Sequence, residues 1–258
     1  MQSIYRIALL SAGLTAALPA LAASQADVQT ATTVTTNKES STPPASPWTN
    51  DAELGAVQTA GNTQTLSLNA KIKSVYEQDQ WRATLSGSAV NAKSNKATTA
   101  EKYDTSLQGD WKLNPIEYVF ARTSFESDRF AGYKRRFNET GGYGRQLIDT
   151  EQLNWKGELG GGLRQTTPTN QQPSEFSVVA RLATDVSWQF SKTSKLSETF
   201  STEGGAKGWT TKSLTALQSA LSEHLSSKIS LGLTHNTKVP AGVKRLDSET
   251  MVTLVISF

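Results

Sequence analysis

From residue 52 to residue 258, apolar and polar side chains alternate in run after run, and a period of two belongs to extended strands with two unlike faces. In 66–76, Leu66, Leu68, Ala70, Ile72 and Tyr76 share one face, and Ser67, Asn69, Lys71 and Lys73 the other. Trp81, Ala83, Leu85, Gly87 and Ala89 then oppose Arg82, Thr84, Ser86 and Ser88. Tyr103, Leu107, Trp111 and Leu113 oppose Lys102, Asp104, Gln108, Asp110 and Lys112; Leu153, Trp155, Leu159 and Leu163 oppose Asn154, Lys156, Glu158 and Arg164. The cleanest run sets Phe176, Val178, Ala180, Leu182, Val186, Trp188 and Phe190 against Ser177, Arg181, Asp185, Ser187 and Gln189. The pattern predicts about twelve strands, over 52–60, 63–77, 80–92, 100–114, 116–128, 134–148, 151–166, 175–191, 193–205, 210–225, 227–238 and 245–258. Glycines 141, 142 and 144 blur the parity of one run and suggest a bulge. Leu214, Leu217, Leu221 and Leu225 would also suit an amphipathic helix, but their neighbours are strands and the run is read as one.

Alternation alone does not say which face is outside, since a barrel in water turns its apolar face inward. The connections bear on this. Glu77-Gln78-Asp79, Asn114-Pro115, Asp149-Thr150, Lys192-Thr193 and Ser226-Ser227 read as tight turns, and 93–99, 129–134, 167–174, 206–209 and 239–244 as longer polar loops. Only Gly61-Asn62 breaks the sequence of short and long, which is the outer-membrane arrangement of short periplasmic turns and long outer loops. With the tight turns in the periplasm, Trp81, Trp111, Trp155 and Trp188 fall at one rim together with Tyr76 and Phe190, and Trp48 just precedes the first strand there. Indole favours the membrane–water interface, so this reads as a periplasmic aromatic girdle.

The polar face carries the basic residues Lys71, Lys73, Arg82, Lys102, Lys112, Arg122, Lys156, Arg164 and Arg181 and the acids Asp104, Asp110, Glu126, Asp128, Glu158 and Asp185. Each Lys or Arg would cost about 2–4 kcal/mol facing lipid at the bilayer midplane, so this face is expected to line a wet lumen. The expected fold is all-β: an antiparallel, up-and-down transmembrane barrel, the one sheet that leaves no unpaired edge in hydrocarbon.

The N-terminus supports export. Arg6, the apolar stretch Ile7 to Ala17 and the small-residue site Ala20-Leu21-Ala22 form a secretory signal over 1–22. Residues 23–50 open with Thr, Ser, Ala and Pro and few large apolar residues, and read as a flexible periplasmic segment ahead of a barrel over 51–258. No stretch after the signal approaches the 18 apolar residues of a membrane-spanning helix. At the other end Val252, Leu254, Ile256 and Phe258 share a face, and a terminal Phe closing an alternating strand looks like the signal read by the barrel-assembly machinery, with Ile256 and Phe258 as its anchors.

Several segments resemble the salt-induced outer-membrane protein family, which is defined around a domain of unknown function. They are Gly61-Asn62-Thr63, Trp81, the stretch Glu126 to Tyr133 with Asp128-Arg129-Phe130 at its centre, Gly141 to Gly144, and the ending from Val239 through Asp247 to Phe258. The resemblance spans about 53–258 and implies an outer-membrane barrel, with no catalytic residue or substrate to carry over.

Chemistry-bearing motifs are sparse. There is no cysteine, and the two histidines, His224 and His235, show no metal-ligand spacing, so no metal or cofactor is expected. The net charge of +3, which falls by one with Arg6 when the signal is removed, shows no clustered basic stripe for nucleic acid. His235 falls on the outward face near the outer end of its strand, where a hydrolase would need a partner hydroxyl. Asp128 reads as a clasp to Lys134 or Arg135 rather than as a ligand group. The expected role is a narrow pore or a passive, stress-related envelope component and not an enzyme. The rival readings are an outer-membrane hydrolase using His235, and a soluble periplasmic barrel holding an apolar ligand. The expected partners are outer-membrane lipid and lipopolysaccharide, the barrel-assembly machinery and periplasmic chaperones, with the chain a monomer.

Overall fold

The computed structural model describes residues 46–59, 65–95, 97–128, 133–169, 173–239 and 244–258. The signal 1–22, most of the segment 23–50, the Gly61-Asn62 hairpin and Arg129-Phe130 lie outside the described residues. Twelve strands follow one another: β1 (Trp48–Thr59), β2 (Thr65–Glu77), β3 (Trp81–Ser94), β4 (Ala97–Lys112), β5 (Glu117–Asp128) and β6 (Tyr133–Asp149). The second half is β7 (Leu153–Pro168), β8 (Glu175–Gln189), β9 (Ser194–Gly205), β10 (Gly208–Ala220), β11 (Leu225–Asn236) and β12 (Leu246–Ser257). Each strand pairs antiparallel with its sequence neighbours, and β1 pairs with β12, so the sheet closes. The fold class is the all-β barrel that the alternation predicts. β1 starts at Trp48, earlier than expected, because Thr49 to Asp51 already pair with Lys73 to Val75.

The seam is short. Its register runs only from Asp51 opposite Ser257 to Leu54 opposite Leu254, extended by a reciprocal pair of backbone hydrogen bonds between Asn50 and Phe258, both 3.0 Å. Inside the lumen, Lys228 on β11 donates to Glu53 Oε1 on β1 at 2.7 Å, spanning β12 and tying the two sides of the seam together.

Three expectations about connections need correction. The segments 93–99 and 206–209 are not long loops: β3 and β4 are joined by residues 95–96, and β9 and β10 by residues 206–207. Lys93, Ser94, Ala97 and Thr98 in the first segment, and Gly208 and Trp209 in the second, continue the ladders instead of leaving them. Asn95, at φ 48°, and Gly208, at φ 127°, supply the left-handed backbone that so short a link needs. The contrast between short and long connections is therefore weaker than the sequence suggested.

The strand read as 210–225 ends at Ala220, and the turn is 221–224 instead of Ser226-Ser227. Leu221 and Ser222 donate their N–H groups to the Leu225 carbonyl at 2.8 and 3.0 Å, so the leucine spacing that mimics a helix is two strands and the turn between them. Glycines 141, 142 and 144 sit in unbroken register from Arg136 to Gln146; the irregularities of β6 flank them, at Tyr133/Arg135 and Gln146/Ile148.

Burial is inverted relative to a protein core. Val178 is 74 % exposed, Phe176 70 % and Leu159 65 %, all on the outer surface. Asp110 is only 1 % exposed, and Glu126, Glu158 and Arg164 are buried with it inside the barrel. Tyr118, Phe120, Val179, Met251 and Val255 are also buried and have inward parity, so parts of the inner wall are apolar.

Candidate functional site

The barrel interior holds a cavity of about 750 Å³. The period of two delivers its lining: every second residue of a strand points inward, and those positions are rich in Lys, Arg, Asp, Glu, Ser and Thr. Of the residues singled out from sequence, Lys71, Lys73, Arg82, Asp104, Arg122, Glu126, Lys156, Glu158, Arg164, Arg181 and Asp185 line this cavity. Asp110 also turns inward but lies beneath Arg82, whose Nε donates to it at 2.7 Å. Lys112 pairs with Glu77 at 2.6 Å at the tight-turn end, and Lys102 stands 3.7 Å from Asp104. Asp128 closes β5 opposite Tyr133, and beside it the Ser127 hydroxyl donates to the Lys134 carbonyl at 3.0 Å.

Across one side of the lumen these groups interlock. Gln108 Nε2 donates to Asp110 at 2.9 Å and to Glu158 at 2.8 Å, and the Tyr118 hydroxyl donates to Glu158 at 3.1 Å. Arg181 reaches Glu158 at 3.4 Å and Glu203 at 3.6 Å. Arg164 holds Glu203 at 2.7 Å and donates to Asn138 at 2.7 Å. The network joins β3 to β9. Such chains of charge-assisted bonds are stable inside a barrel only because each carboxylate finds several donors.

A second knot sits nearer the long-loop end. Lys212 pairs with Glu126 at 2.8 Å and with Asp104 at 3.3 Å, and the Tyr133 hydroxyl donates to Glu126 at 2.5 Å. Arg136 lies over the Tyr133 ring, 3.9 Å from its centroid, and donates to Thr210 Oγ1 at 3.1 Å.

Asp51, Glu53, Arg136, Lys195, Glu203, Lys212 and Lys228 also line the cavity and were not singled out from sequence. The parity signal was present for all of them. On β10 it was obscured, because the inner face of that strand carries Leu214 and Ala216 next to Lys212, while Ser213 and Thr215 have outward parity.

The outer surface carries the aromatic rim. At the tight-turn end Trp48 packs on Tyr76 with ring centroids 4.9 Å apart, Trp81 on Trp111 at 4.2 Å, and Trp188 on Phe190 at 5.6 Å. Trp155 Nε1 donates to Thr184 Oγ1 at 2.8 Å. Trp209 lies at the opposite end. Ile256 and Phe258 are outward beside the seam. The outer face is not purely apolar: Glu198 accepts hydrogen bonds from the Ser213 and Thr215 hydroxyls at 2.6 and 2.5 Å.

His224 lies in the turn 221–224, its Nδ1 3.2 Å from the Ser257 carbonyl. His235 is outward, across the ladders from Thr211 and Leu246. The hydroxyl of Thr237, two residues on, accepts the Trp209 N–H at 2.8 Å. Among the described residues no His, Asp and Glu cluster has the arrangement of a metal site.

A closed twelve-strand antiparallel barrel with a charged interior and an apolar exterior has the architecture of outer-membrane β-barrels. The chain belongs to the family described as "Protein of unknown function, DUF481", which matches residues 52–258. It is 29 % identical over 194 residues to the Escherichia coli K12 protein called "Uncharacterized protein YdiY", covering 75 % of this chain and 76 % of that one. An outer-membrane channel from Pseudomonas putida F1 superposes with a TM-score of 0.51 at 10 % identity, covering 83 % of this chain and 96 % of the channel. The KdgM porin superposes with a TM-score of 0.42 at 13 % identity, covering 81 % of this chain and 99 % of the porin. These likenesses to channels and porins are likenesses of fold.

Proposed function

We propose that this chain spans the outer membrane of a Gram-negative bacterium as a monomer and acts as a narrow, water-filled pore for small solutes. The observation that carries the reading is the cavity of about 750 Å³, lined by charged and hydroxyl side chains inside a closed barrel with an apolar exterior. Fifteen or more charges would not be kept on an inner wall unless water reached them, because burying an unhydrated ion costs several kcal/mol. The tryptophans at the tight-turn end support membrane insertion with that end in the periplasm, anchored at the lipid interface. A soluble barrel holding an apolar ligand needs the opposite distribution of side chains.

In this reading residues 1–22 direct export, Ile256 and Phe258 present the assembly signal to the barrel-assembly machinery after transit with periplasmic chaperones, and the outer face contacts lipid and lipopolysaccharide. Planar-bilayer recording on heat-modifiable, folded protein tests it. Discrete current steps are expected. Their absence from folded protein would sink the pore and leave the passive, stress-related envelope role.

A further inference from the structure

Among the side chains that line the cavity the carboxylates are engaged and the cations are in surplus; outside that lining Glu249, of inward parity on β12, is a carboxylate whose charge acts on Lys71. Eleven basic and seven acidic side chains line the cavity. Six of the seven acids stand in ion pairs within 4.0 Å, and the seventh, Asp51, accepts a hydrogen bond from Ser257 Oγ at 2.5 Å. Five of the cations, Lys71, Lys73, Arg122, Arg136 and Lys195, have no ion-pair partner among the described residues. Arg122 further presents a buried Nη1 with no hydrogen-bond acceptor. An ion in this cavity therefore meets more free positive charge than free negative charge.

Two of these five, Lys73 and Lys195, lie toward the tight-turn end, and Lys156 lies near the same end of β7. Lys73 on β2 is solvent-exposed although it points into the cavity. The charges acting on it most strongly are those of Lys156 on β7, Asp185, Asp51 and Lys195 on β9. In a ring of twelve strands β2 stands across from β8, so these ammonium groups come from facing walls and feel one another across the lumen. Lys156 is partly balanced by Asp185 at 3.4 Å; Lys73 and Lys195 are not balanced in this way.

We infer that the lumen prefers small hydrated anions, with Lys73, Lys156 and Lys195 forming the tier that selects them. This rests on the pore reading above. Fixed charge between low-dielectric walls raises the local concentration of counter-ions, and it does so most where the walls are closest. A potential of about one kT per unit charge at the tier, at the low end of what charge-lined clefts produce, enriches chloride over potassium by roughly sevenfold.

The test is the reversal potential of the full-length folded barrel in planar bilayers under a tenfold KCl gradient. The expected result is preference for chloride, lost or reversed in the double variant Lys73→Glu/Lys195→Glu with channel opening retained. Lys73→Gln/Lys195→Gln, which adds no negative charge to the lumen, is expected to fold where the double Glu variant does not and to reduce the preference. Arg145→Glu makes the same change of sign on the outer face and is expected to leave the reversal potential where it was. Current steps with cation preference, or a preference unmoved by both lumen variants, would overturn the selectivity and leave the pore standing. No current from folded protein would overturn both.

Discussion

Glu203 holds two guanidinium groups, Arg164 at 2.7 Å and Arg181 at 3.6 Å, and all three side chains are largely shielded. Removing the carboxylate leaves both cations facing each other with Arg122 nearby. Glu203→Ala is expected to lower unfolding stability by about 2–3 kcal/mol, less than a dry buried pair because lumen water reaches the site. Urea unfolding in lipid vesicles, followed by tryptophan fluorescence, measures it. A different physics governs Gly144. Tyr118 is its partner on β5, and a Cβ on Gly144 would run into the Tyr118 ring. The phenol can cross the inner wall toward Glu158 only because the position has no side chain. Gly144→Ala is expected to cost about 1–3 kcal/mol through overpacking. In a Tyr118→Ala background the same substitution is expected to cost much less, and a double-mutant cycle reads the coupling.

Strand number and most strand ends were legible in the sequence because alternation is strict wherever one face meets water and the other does not. Phe176 to Trp188 is such a case, and β8 runs from Glu175 to Gln189 as its parity demands. β10 was hard to read because its two faces are nearly alike: Leu214 and Ala216 point in, and Ser213 and Thr215 point out to bind Glu198. The inward charges were legible singly, but their pairing was not. Arg164 and Glu203 lie 39 positions apart, and Lys212 and Asp104 lie 108 apart; only strand order and stagger bring them together. The seam was equally invisible. Its register between β1 and β12 covers four residue pairs, whereas β1 and β2 pair over twelve. Among strand residues paired on both sides, amide hydrogen exchange is therefore expected to be fastest at Ala52 to Leu54 and Leu254 to Ile256. Lys228→Met, which removes the tie to Glu53, is expected to accelerate exchange at those amides several-fold while leaving β5 to β8 unchanged. Uniform acceleration around the barrel would show that the ion pair contributes only global stability.

The inverted distribution of side chains gives a direct physical test of which solvent the barrel was built for. In water, an outward Leu159 that is 65 % exposed gains nothing from being apolar, and replacing it with Arg would be nearly neutral. In a bilayer the same side chain touches hydrocarbon. Leu159 lies near the middle of β7, between the tryptophan rim at Trp155 and the long-loop end, so Leu159→Arg would carry a charge close to the midplane. The expected cost in lipid vesicles is about 2–4 kcal/mol. The cost should shrink in outward substitutions made closer to either rim, such as Leu196→Arg beside Trp188, because a long side chain there reaches headgroups and water. A depth-dependent series of this kind separates a membrane barrel from a soluble one independently of any current it passes. A flat series, with Leu159→Arg costing no more than Leu196→Arg, would mean that the apolar exterior does not face lipid.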